Sequence, residues 1–146
     1  MGLRKKGKWW YGDSQADIRA ELVRFGGLNE YEPTEFADAK CVCGKSTFRL
    51  AVDEEEGAAV RTCVACMCEH PIADSEEYMT EATLVPSICV CENDVFEITV
   101  GLSLYDNSDD VAWLYIGCRC PNCGVTGCYG DWANEYEGYE ELLSRV

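Results

Sequence analysis

At 146 residues and 16.3 kDa, the chain suits one compact domain or two very small ones, and 47% apolar residues suffice for a core. A formal net charge of −15 and a pI near 4.3 argue against a general nucleic-acid binder, because neutralising phosphates needs clustered Lys and Arg. No stretch of about 18 apolar residues offers a membrane span, and 11 cysteines, an odd number, cannot all pair within one chain.

Residues 1–24 hold six basic and three acidic side chains, net +3, which leaves −18 on the remainder. The chain therefore opens with a basic, aromatic arm around Lys5, Lys6, Lys8, Trp9, Trp10 and Tyr11. Cations beside stacking rings make Trp9, Trp10 and Tyr11 candidate partner-binding residues. The arm lacks an apolar h-region and a small-residue cleavage site, so we expect a reducing cytoplasm, where dense cysteine points to metal. Residues 13–25 predict a helix. Asp13 or Ser14 caps it, Ile18, Leu22 and Phe25 recur at helical spacing, and Gly26-Gly27 ends it. A polar connector, residues 28–40, is anchored by Tyr31 and Phe36 and completes a leading segment, residues 1–40.

From Cys41 the chain repeats itself. Cys41-Val42-Cys43, Phe48 and Val52 recur as Cys89-Val90-Cys91, Phe96 and Val100 at a constant offset of 48. Cys63-Val64-Ala65-Cys66 and Asp74 recur as Cys120-Pro121-Asn122-Cys123 and Asp131 at an offset of 57. Such ordered self-similarity reads as a duplication with units at 41–88 and 89–146. In each unit two strands form a hairpin: Thr47 to Asp53 with Ala58 to Val64, then Val95 to Tyr105 with Val111 to Cys118. The second hairpin absorbs the nine extra residues. A helix closes each unit, capped by Asp74 and by Asp131, and the last carries Trp132, Tyr136, Tyr139, Leu142 and Leu143 as its apolar stripe.

Zinc takes four ligands in a tetrahedron, commonly as two short cysteine pairs joined by folding. Cys41, Cys43, Cys63 and Cys66 make one set; Cys89, Cys91, Cys120 and Cys123 make the other. Each hairpin carries one pair at its start and one at its end, so antiparallel strands return the second pair beside the first. At these residues the chain resembles the zinc-ribbon family. Cys120-Pro121-Asn122-Cys123-Gly124 matches that family's CPxCG knuckle, and Cys43-Gly44 and Cys63 to Cys66 match it in part. The departures are Cys41-Val42-Cys43 and Cys89-Val90-Cys91, with one residue between ligands instead of two. The resemblance covers residues 41–132 in two copies and implies metal and fold without an activity. The expected architecture is therefore α+β: two tandem zinc-ribbon β-hairpin units with an N-terminal helix and a C-terminal helix.

Two Zn²⁺ are expected, with iron, a disulfide framework and thioredoxin-like redox chemistry as weaker rivals. Eight thiolates around two Zn²⁺ would add about −4 to the charge. Cys68, His70, Cys118 and Cys128 remain: alternate or third-site ligands in one reading, buried or solvated side chains in the other. A closed four-thiolate site cannot activate water, and no nucleophile–base pair or phosphate-binding loop is present, so no catalytic residues are assigned. The expected job is a small acidic adaptor or regulator that engages a basic protein surface, one version being an inhibitor or immunity-type protein against a basic partner. The alternatives are a nucleic-acid-associated protein using the arm, and an enzyme of unknown class. The arm could also close a homodimer.

Overall fold

Ten strands in two antiparallel sheets build the computed structural model, which describes residues 2–146. In chain order they are β1 (Arg4–Lys6), β2 (Trp9–Tyr11), β3 (Glu35–Asp38), β4 (Phe48–Asp53), β5 (Ala58–Cys63), β6 (Glu69–Pro71), β7 (Val85–Pro86), β8 (Glu97–Leu104), β9 (Val111–Arg119) and β10 (Val125–Tyr136). Helix α1 (Asp17–Leu28) lies between β2 and β3, and the short α2 (Tyr139–Leu143) follows β10. The larger sheet runs β1-β2-β10-β9-β8-β3, and the smaller β6-β5-β4-β7.

The expected α+β chain of two ribbon units with two helices is thus corrected: the fold is mostly β, and α1 is its one substantial helix. The segment read as the C-terminal helix is split: Trp132 to Tyr136 ends β10, and only Tyr139–Leu143 is helical. Trp132 and Asn134 are buried while Ala133 and Glu135 are exposed, a period of two that pairs Trp132 with Leu114 on β9. Asp131 caps nothing; it accepts a hydrogen bond from Trp113 Nε1 at 2.9 Å. In the first unit, the expected helix is a single 3₁₀ turn, Ser75–Tyr78. Asp74 there accepts Asn134 Nδ2 on both carboxylate oxygens, at 3.0 and 3.1 Å, and makes no cap bond.

The predicted hairpins are present as β4–β5 and β8–β9. They turn at Gly57, with φ of +74°, and at Asn107, with φ of 56°. Helix α1 starts later than expected. Asp17 in its first turn reaches back to accept the N–H groups of Asp13 and Ser14, at 2.6 and 3.2 Å. Its Ile18 and Leu22 are fully buried with Tyr115. Gly117 makes that approach possible: a Cβ there would lie 2.5 Å from Ile18 Cγ2 and 2.9 Å from Leu22. Among the described residues, no helix is long and apolar enough to cross a membrane.

The sequence repeat has a counterpart in the hydrogen-bond register. Strand β3 precedes the first cysteine pair yet pairs with β8, as Ala37 with Val100 and Asp38 with Thr99. Strand β7 precedes the third pair and joins β4, as Val85 with Val52 and Pro86 with Ala51. Each of these pairings maps onto the other at the sequence offset of 48. With the unit starts moved back from Cys41 and Cys89 to β3 and β7, each half's leading strand therefore completes the other half's sheet. At the other end, Arg61 pairs with His70 as Cys118 pairs with Gly127, which follows the offset of 57.

Candidate metal centres

Two thiols one or two residues apart face a common point only if the backbone between them turns tightly. All four cysteine pairs turn in the same manner. The Cys41 N–H donates to Lys45 O and the Gly44 N–H to Cys41 O, both at 2.8 Å. The Cys89 N–H donates to Asn93 O and the Glu92 N–H to Cys89 O, again at 2.8 Å. The other two pairs close through Cys63 to Cys68 O at 3.0 Å and Met67 to Cys63 O at 2.9 Å, and through Cys120 to Val125 O at 2.9 Å and Gly124 to Cys120 O at 2.7 Å. After the second cysteine of every pair the chain enters the left-handed region: Gly44 at +93°, Met67 at 64°, Glu92 at 76° and Gly124 at +86°. Only two of these positions are glycine, so the sequence signal is half hidden.

The two hairpins bring the pairs together. In each set, Cys41 with Cys43, Cys63 and Cys66, and Cys89 with Cys91, Cys120 and Cys123, the four sulfurs lie within 4.8 Å of one another. The shortest separations are Cys41–Cys66 at 3.5 Å and Cys43–Cys63, Cys89–Cys123 and Cys91–Cys120 at 3.6 Å. A disulfide needs about 2.0 Å, so these are not bonded sulfurs. Thiolates at about 2.3 Å from a shared zinc stand about 3.8 Å apart along a tetrahedron edge, close to the separations here. The donor sets therefore fit a metal, and the one-residue spacing of Cys41/Cys43 and Cys89/Cys91 does not prevent it. The paired sulfurs also correspond between the sets under the repeat.

Surrounding groups split the thiols, lowering Cys63 and Cys91 and raising Cys43, Cys66, Cys89 and Cys123. Asn122 Nδ2 donates to Cys91 Sγ at 3.6 Å and, with backbone N–H help, holds that thiol down at about 6. The Cys66 N–H leads the bonds that bring Cys63 to about 6. Burial pushes Cys89 the other way, to about 12, so a bound cation is what would ionise the whole set. Asn93 Nδ2 donates to Cys120 Sγ at 3.2 Å. Beside the first set the buried Arg61 lies 4.5 Å over the Phe48 ring and donates to Val146 O at 2.8 Å. Its burial opposes its charge, and the Cys41, Cys68 and Cys63 sulfurs favour it. Asn93, Asn122 and Arg61 escaped the sequence reading because an isolated amide or arginine carries no spacing signal.

The residues left over do not gather into a third site. Among the described residues, only the two four-cysteine sets bring three or more metal-ligating side chains together. His70 Nε2 donates to Arg145 O at 2.6 Å, Cys128 Sγ lies 3.4 Å from Gly130 O, and Cys68 Sγ lies 3.8 Å from Glu69 O. Cys118 is fully buried and occupies the register position that Arg61 holds in the first half. In the arm, Tyr11 pairs with Val125 and Trp10 with Thr126, which docks β1–β2 on β10. Arg24 covers the Trp10 ring at 5.1 Å, while Trp9 is 37% exposed beneath Lys8.

The chain matches no protein-family model, no curated protein and no solved structure.

Proposed function

We propose that both four-cysteine centres hold structural Zn²⁺, and that the chain acts as an adaptor or regulator engaging a basic surface on another protein. Four thiolates fill a tetrahedral coordination sphere, which suits a structural metal. The observation that carries the partner reading is the unspent acid. Among the described residues, ion pairs engage Asp13, Glu21, Asp38, Asp94, Glu97 and Glu141, a minority of the 27 acidic side chains. A surface of this kind attracts a positively charged protein and repels phosphate.

The test is affinity capture with the zinc-loaded full chain, followed by reconstitution with the purified partner and a salt titration. A basic partner whose affinity falls as salt rises is the expected result. Recovery of no partner, or binding indifferent to salt, overturns the reading.

A second reading keeps nucleic acid. One hairpin displays Arg4, Lys5, Lys6, Lys8 and Trp9, all exposed, which pairs cations with a stacking ring. Gel shifts comparing the parent with the Lys5→Gln/Lys6→Gln/Lys8→Gln variant decide it. Binding lost in the variant supports this reading, and absent or equal binding ends it.

A further inference from the structure

The repeat lets the outer faces of the two central hairpins be compared residue by residue. On the second half a row crosses four strands as Asp38, Thr99, Gly117 and Cys128. Helix α1 covers it: Ile18 and Leu22 pack over Gly117, and Arg19 on the helix flank meets Asp38 at 3.4 Å. At the offsets of 48 and 57 the same row in the first half is Pro86, Ala51, Val60 and Pro71. Every side chain in it is apolar, so this face is the more hydrophobic of the two. Yet among the described residues α1 is the one long helix, and it lies on β8, β9 and β10.

In place of a helix the first half has the Ser75–Tyr78 turn. Beyond it Met79 and Leu84 wall a cleft of about 260 Å³ together with Ala51, Val60, Thr62 and Pro86. Ala51, Val60, Met79 and Leu84 are half-buried, and Pro86 is exposed. An apolar sheet face is normally buried by a second layer, and one left open marks an interaction site. Val60 stands where Gly117 lets α1 close in, so an occupant keeps its backbone further from the sheet and reaches down with large side chains. The apolar stripe of a helix, spaced at i, i+3 and i+4, delivers them.

Charge decides what flanks that stripe. Glu69 lines the cleft and is exposed. From Asp53 to Glu81, the segments that frame the cleft, the chain holds nine acidic side chains and one basic, the buried Arg61. Arg49 at the rim already stands 3.4 Å from Asp94. A basic helix extends here the kind of contact that Arg19 makes with Asp38. A second copy of this chain, at −15 overall, brings like charge instead.

We propose that this cleft receives the apolar stripe of a basic amphipathic helix on the partner protein. The proposal deepens the partner reading and rests on it for the source of the helix.

The experiment titrates the zinc-loaded full chain, ¹³C-labelled at its methyl groups, with a designed helical peptide that has leucines along one face and lysines on the others. A scrambled peptide of the same composition breaks the stripe, and a third with glutamate for lysine reverses the charge. Saturable shifts centred on the methyls of Ala51, Val60, Met79 and Leu84 are expected with the first peptide, and affinity about tenfold weaker or less with the other two. Val60→Lys should lower affinity for the first peptide about tenfold, as one apolar contact is lost. Pro86→Lys, on the exposed edge strand, is the second variant should Val60→Lys lose its zinc. Unmoved methyls, or either control peptide acting like the first, overturn the assignment. Shifts of these methyls on raising protein concentration alone give the face to a second copy and overturn it too. Salt-sensitive binding of a basic partner with these methyls unmoved leaves the partner reading standing and rejects the cleft. Shifts with the lysine peptide while no basic partner binds support the cleft and reject the partner reading.

Discussion

Phe48 and Phe96 exchange two main-chain hydrogen bonds, each 2.8 Å, at the point where the two sheets touch. Under the repeat they are the same residue, so this bridge joins equivalent positions of the two halves. Each ring is fully buried, Phe48 beneath Arg61 and Phe96 at 4.9 Å from Tyr129. Phe48→Ala and Phe96→Ala should each cost about 3–5 kcal/mol. Because the bridge belongs to both halves, either change should speed zinc release to a chelator from both centres. Chelator kinetics resolved for each site check this; acceleration confined to one site would show that each ring supports only its own centre.

Metal content gives the second expectation. Protein purified without added metal should carry two zinc ions by native mass spectrometry, and Cys63→Ser or Cys120→Ser should each leave one. Removing both with a chelator should unfold the chain, since the thiols of each set have no other cross-link. Fewer than one metal ion per parent chain would refute the structural-zinc assignment.

The four knuckles offer a gain in stability. Met67 and Glu92 occupy left-handed positions that Gly44 and Gly124 fill in the matching turns. Both side chains are exposed, so little contact is lost on removing them. Met67→Gly and Glu92→Gly should each stabilise by about 1 kcal/mol, whereas Gly124→Ala should destabilise by a similar amount. Thermal denaturation of zinc-loaded protein, with Met67→Ala as the control that should gain nothing, measures the effect.

Helix α1 depends on a missing side chain. A methyl group at residue 117 would stand 2.5 Å from Ile18 Cγ2, so Gly117→Ala must push the helix off β9. We expect a loss of about 1–3 kcal/mol. Hydrogen exchange should quicken in α1 while both metal centres keep their zinc. Unchanged exchange in α1 would mean that the helix tolerates the methyl.

The two four-cysteine groupings and both central hairpins were legible in the sequence, because thiol spacing and turn residues are local signals. What was missed depends on distant neighbours. Trp132, Tyr136, Tyr139 and Leu143 fit one helical stripe, but pairing with β9 makes Trp132 and Tyr136 strand, with Trp132 and Asn134 buried alternately, and leaves only Tyr139 and Leu143 in a helix. Strands β3 and β7 are four and two residues long, too short to declare a period, and their partners lie in the opposite half. Asp74 and Asp131 looked like helix caps because the residues that claim them, Asn134 and Trp113, are far away in the chain.

The exchanged leading strands also set an order of events during synthesis. Asp38 and its partner Thr99 are 61 residues apart, and Thr99 Oγ1 donates to the Asp38 carboxylate at 2.7 Å. At about 5–20 residues per second, β3 waits roughly 3–12 s on the ribosome before β8 exists to receive it. The Cys41/Cys43/Cys63/Cys66 set is complete well before then, while the free edge of β4 still awaits β7. On the structural-zinc proposal, metal capture by the nascent first hairpin would therefore come before closure of either sheet, and would hold an open strand edge in register during the interval when a neighbouring chain could pair with it.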